Sequence, residues 1–130
     1  MHGSENMIRE LLEGLKAGIR SDSLADMAVF PPFPYLAQVQ SLLDGSTIDW
    51  GGQTLNPAPQ GAHTGEVSAA MLLEFGCRMV LVGHSERRTL YGESDADVAD
   101  RFETALQSGL IPVSYTHLTL PTIQHWCSAR

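Results

Sequence analysis

MVLVGHSERR, residues 79–88, decides how the rest of the chain is read. Met79, Val80, Leu81 and Val82 form a short apolar run with two β-branched members. That is the pattern of a buried strand, although periodicity alone leaves a core helix segment open. Gly83 permits a turn, and His84, Ser85, Glu86, Arg87 and Arg88 follow as a dense polar group at the strand's carboxyl end. In α/β folds that end carries the chemistry.

Downstream of this stretch, Ser94 with Asp97 three positions on resembles a capping box in which Asp replaces the usual Glu or Gln. Val98, Phe102, Ala105 and Leu106 then line a helix, Gly109 closes it, and residues 110–113 begin another strand. Upstream, Thr64 or Gly65 can start a helix carrying Val67, Met71, Leu72 and Phe75, with Glu66 in its first turn and Gly76 as its C-cap. Before that, residues 47–50 read as a strand, and residues 51–61 form a turn-rich loop. It exceeds the usual two to six residues, which marks a working or docking loop. Residues 26–30, DMAVF, read as a strand running into Pro31 and Pro32, and Leu36, Val39, Leu42 and Leu43 make the apolar stripe of a helix ended by Gly45. The first element is a helix with Ser4 as N-cap and Ile8, Leu11, Leu12, Leu15 and Ile19 at helical spacing.

Helix and strand therefore alternate four times, which calls for a parallel sheet with crossover helices, either an open sheet or part of a barrel. From Ser114 onward the helical period and the glycine turns stop. The expected division is a folded unit over 1–113 and a tail over 114–130 foreign to it.

Composition bounds the function. With 43% hydrophobic and 18% charged residues, the 130-residue chain is of ordinary globular type and about one domain long. Fifteen acidic residues against eight basic ones give a formal charge of -7, and the basic residues form no stripe, which argues against nucleic acid as a partner. No run approaches the roughly 18 apolar residues of a membrane span, and no signal peptide is recognisable, so a cytoplasmic location is expected. Cys77 and Cys127 are too few and unpatterned for a disulfide framework, and Cys77 reads as a small buried hydrophobe. His2, His63, His117 and His125 share no ligand spacing, so no metal is expected.

His84 is the histidine best placed for chemistry, at a strand end between a glycine turn and charged neighbours. It either donates or exchanges a proton there, or ties down a loop. Glu86 and Arg87 either orient each other or a third group, or form an ordinary surface pair. Arg88 points to solvent or neutralises a phosphate. Residues 64–66 are a weak anion site, because Glu66 already occupies the helix start. No Walker loop, zinc signature or dinucleotide fingerprint occurs.

GAHTGEVSAAML at 61–72 followed by VGHSERR at 82–88, the order expected of the family, together with the opening MHGS and with FPPF at 30–33, resemble the first half of the triosephosphate isomerase family. The resemblance implies a (β/α)8 TIM barrel in the complete enzyme, of which 1–113 would supply about strands two to five with their helices. It implies a homodimer, no cofactor, and interconversion of dihydroxyacetone phosphate with D-glyceraldehyde 3-phosphate. His84 matches the family's catalytic electrophile, Glu86 a support of the active-site ion-pair network, Arg87 a neighbouring structural arginine, and Thr64 the tip of the loop that contacts the partner's active site. The family's asparagine and lysine would precede Met1. Its glutamate base, its closing lid and its glycine-rich phosphate site have no counterpart in the sequence. The tail resembles translated adapter or vector sequence. The expectation is a catalytically silent part-barrel that self-associates or pairs with a complementary half.

Overall fold

A computed structural model describes residues 2–19 and 26–114. The expected tail lies outside the described residues apart from Ser114, which pairs with Val82 as the last residue of its strand. The elements are α1 (Glu5–Gly18), β1 (Met27–Val29), a single 3-10 turn (Phe33–Tyr35) leading into α2 (Leu36–Leu43), β2 (Ile48–Gly52), α3 (Ala69–Glu74), β3 (Met79–Val82), α4 (Ser85–Tyr91), α5 (Asp95–Gln107) and β4 (Ile111–Ser114). The strands pair in the order β1-β2-β3-β4, all parallel. The sheet is a curled part of a TIM barrel with its helices on one face, as the alternation and the resemblance imply.

Side chains alternate across β3. Val80 and Val82 are fully buried beneath the helices, while Met79 and Leu81 on the opposite face are half-buried. Below the helices the core has two clusters. One gathers Leu36, Leu55, Leu72, Val80, Val82, Val98 and Leu110, and the other Ile8, Leu12, Val39, Leu43 and Ile48, with Trp50 packed against both. Cys77 lies inside the first, where burial pushes its thiol up to about 11, so it behaves as the small buried hydrophobe expected of it.

The local signals at helix starts mostly hold. Ser4 Oγ accepts from the Met7 N–H at 3.2 Å, and Ser94 and Asp97 form the reciprocal capping box. Three elements differ from expectation. The third helix begins at Ala69, because Ser68 Oγ caps the Met71 N–H and Gly65 is held at a positive φ of 86° that no helix continues. Glu66 therefore does not lie in a first helical turn, and the weak anion site at residues 64–66 has no helix start behind it. β2 runs through Gly51 and Gly52, which the sequence places in a loop. A Cβ on Gly51 would lie 2.3 Å from the Met79 carbonyl oxygen, so close strand packing needs the bare backbone. The polar residues after β3 form the short helix α4 and not a loop. Of the apolar stripes, Leu11, Phe102 and Leu106 are exposed, and α5 turns Val98 and Ala105 inward instead.

Candidate active site at the end of the third strand

Gly83 carries the chain out of β3 at φ 69°, and a Cβ there would sit 2.8 Å from Val98 Cγ1. The absent side chain lets α5 close over the strand end and sets the direction in which His84 leaves it. His84 becomes the N-cap of α4, with its Nδ1 accepting the Glu86 N–H at 3.2 Å. An acceptor at Nδ1 puts the proton of the neutral ring on Nε2. The Glu86 carboxylate stands 3.9 Å from the same Nδ1, and an ion pair there would need the proton on Nδ1. The backbone N–H is nearer to Nδ1 than this carboxylate is. Only 15% of the His84 side chain is exposed, against 74% for Glu86. The arrangement is a largely shielded imidazole at the carboxyl end of a parallel strand, beside a solvated carboxylate.

Arg87 turns away from Glu86. Its Nε donates to Glu93 Oε1 at 2.6 Å, and its guanidinium lies 5.1 Å from the centroid of the Tyr91 ring. Glu93 was missed by sequence reading. It is the one buried charged residue among those described, with 5% of its side chain exposed, and Arg101 Nε approaches the same Oε1 at 3.3 Å. Arg101 Nη1 in turn donates to the Leu55 carbonyl at the base of the loop after β2. The available signal was faint: an acidic residue wedged between the left-handed Gly92 and the N-cap Ser94. Its partners lie six positions before and eight after it, one on α4 and the other on α5, and the fold brings all three side chains together.

Arg88 is held by two protein groups, donating from Nε to the Gly83 carbonyl at 3.2 Å and from Nη1 to Asp95 at 2.6 Å. Thr64 stands on a separate loop. The chain leaves at Asn56 and returns at Ser68, which form a parallel bridge, with the Asn56 N–H donating to the Val67 carbonyl at 2.8 Å. Between them residues 61–66 are exposed, shaped by the Glu66 N–H bond to the His63 carbonyl. The structure thus brings His84, Glu86 and Arg87 onto one short helix and leaves Thr64 at an exposed turn. A groove of about 440 Å³ lined by Ala37, Gln40, Ser41, Asp44, Trp50 and Gly76 opens at the amino end of β3, the opposite end from His84. Among the described residues no group of three His, Cys, Asp or Glu side chains is placed to hold a metal ion, and no helix is long and apolar enough to cross a membrane.

A family model described as triosephosphate isomerase matches residues 1–118. Curated relatives named triosephosphate isomerase include those of Dechloromonas aromatica strain RCB, 57% identical, and Nitrosomonas eutropha, 52% identical, each over 113 residues. The relative from Cupriavidus necator is 55% identical over 113 residues. In all three the match covers 87% of this chain and 45% of the relative, so the chain spans less than half the length of the curated relatives it matches.

Proposed function

This chain belongs to the triosephosphate isomerase family, and from that premise we propose that it supplies the electrophile-bearing part of an enzyme interconverting dihydroxyacetone phosphate and D-glyceraldehyde 3-phosphate. The observation that carries the reading is the N-cap bond from the Glu86 N–H to His84 Nδ1, which makes Nε2 a hydrogen-bond donor at the strand end. Such a donor polarises the substrate carbonyl and helps pass a proton between the two substrate oxygens, a use of neutral imidazole already established for triosephosphate isomerases. Proton transfer between the carbons requires a carboxylate base, for which this sequence has no counterpart. Glu86 borders the electrophile, and Arg87 braces the helix that carries it. Thr64, at the exposed turn, is the contact to a second subunit in a homodimer, and a cytoplasmic location goes with this reading.

The test is an isomerase assay on the 130-residue chain alone and after refolding with a polypeptide supplying the remaining segments of the Dechloromonas aromatica relative. The chain alone is expected to be inactive. The reassembled pair is expected to be active and to lose on the order of 10²–10⁴-fold when His84→Gln is introduced. Activity in the pair that ignores His84 overturns the reading. Activity of the chain alone that His84→Gln abolishes would reveal a substitute base and phosphate site.

A second reading rests on a different observation. Among the described residues β1 and β4 each pair on one side only, and Ile111 on β4 is 47% exposed. In this reading the polypeptide by itself is catalytically silent and associates with copies of itself or with a complementary half barrel.

A further inference from the structure

Two arginines from different helices meet one oxygen atom. Arg87 Nε lies 2.6 Å and Arg101 Nε 3.3 Å from Glu93 Oε1, inside a site where the carboxylate is almost fully buried. Glu93 Oε2 and Arg101 Nε are both buried and take no hydrogen bond among the described residues, so Oε1 is hydrogen-bonded by Arg87 and holds Arg101 by charge alone. Arg87 belongs to α4, three positions after His84, and the Glu93 N–H returns to the Arg87 carbonyl at 3.3 Å. Arg101 reaches the other way, to the carbonyl of the fully buried Leu55. Leu55 immediately precedes Asn56, whose N–H closes the neck of the loop displaying Thr64. A displacement of either guanidinium changes the field at the shared oxygen, and in a buried setting that field is weakly screened.

We propose that Glu93 is a positioning residue that couples the helix bearing His84 to the base of the Thr64 loop. The coupling matters for function on the reading that His84 and Thr64 serve one isomerase. Its measurement does not depend on activity. The site is a bridge of three charges, Arg87–Glu93–Arg101, ending on a backbone carbonyl. Sequence spacing alone assigns Glu93 and Arg101 no role.

Amide hydrogen exchange on the full 130-residue chain tests this, comparing the loop neck at the Asn56 N–H, which donates to the Val67 carbonyl, with Val80 and Val82 in β3. Arg101→Met is expected to speed exchange at the neck about tenfold while β3 changes little. Arg87→Met, whose guanidinium meets Glu93 and Tyr91 and not the loop, is expected to speed the neck by a smaller factor. The double variant is expected to fall short of the product of the two factors, the signature of a shared partner. If Arg101→Met does not fold, Arg101→Lys keeps a charge near Glu93 but lacks the fork that reaches Leu55, and the same local pattern is expected of it. A neck unmoved by Arg87→Met overturns the coupling. So does acceleration spread equally over the neck and β3, which would make the bridge a plain stability element. Failure of the isomerase assay leaves this outcome readable, since exchange reports the coupling directly.

Discussion

Gly83 shows how much one residue decides at the strand end. A positive φ and a 2.8 Å approach by Val98 both exclude a side chain there, and the next residue is His84. Gly83→Ala is expected to cost about 1–3 kcal/mol from overpacking and strain together. In urea unfolding this reads as a lower midpoint at unchanged slope, and an unshifted midpoint would show that Val98 yields freely. His84 follows the same logic with a different chemistry. Its Nδ1 accepts from the backbone N–H of Glu86 two positions on, so the tautomer of the neutral ring is set locally. Glu93 is the contrasting case, a buried carboxylate whose partners come from two different helices, one before it and one after it.

The elements are stabilised at their ends as much as along their faces. In α5 the Asp97 carboxylate accepts from the Ser94 hydroxyl at 2.6 Å and the Ser94 N–H at 2.8 Å. These bonds, the hydroxyl first and the backbone second, hold its carboxyl below the ordinary value of 3.8, and Arg101 adds a smaller pull in the same direction. A carboxyl that ionises more readily folded than unfolded stabilises the fold above its unfolded value, and that contribution is lost as pH falls through the folded one. Asp97→Asn is therefore expected to lower thermal stability near neutrality, with the gap to the parent narrowing as pH falls past the ordinary value of 3.8 and through the lower folded one. A gap independent of pH would remove the charge from the explanation. α4 has no comparable apolar face, and none of its residues is buried. It is a helix made by its caps, His84 before it and the left-handed Gly92 after it.

At the scale of the molecule, the four-stranded sheet leaves one face and two edges with little cover among the described residues. Met79 and Leu81 are half-buried, and Ile111 beside Met79 is more exposed. Edges and faces of this kind template association. Sedimentation velocity on the 130-residue chain is expected to show assembly that grows with concentration, and Ile111→Lys is expected to reduce it by placing a charge on the edge strand. A concentration-independent monomer would count against the self-association reading.

The sequence alone determined the alternation of helices and strands, the parallel sheet, the caps at Ser4 and Ser94, and the family to which the chain belongs. Those signals are local, since a cap, a glycine turn or an apolar run acts through its near neighbours in the chain. The two diagnostic segments are likewise contiguous. Tertiary structure decided what depends on distance in space. Gly51 and Gly52 look like loop residues until the Met79 carbonyl lies against the first and the Leu72 side chain against the second, and the start of α3 moves to Ala69, behind the N-cap Ser68 that bridges to Asn56. Likewise, Phe102 and Leu106 fit a helical stripe, yet α5 is rotated so that Arg101 reaches Glu93. No spacing announces a carboxylate shared by two arginines on different helices, because only folding makes those three side chains neighbours.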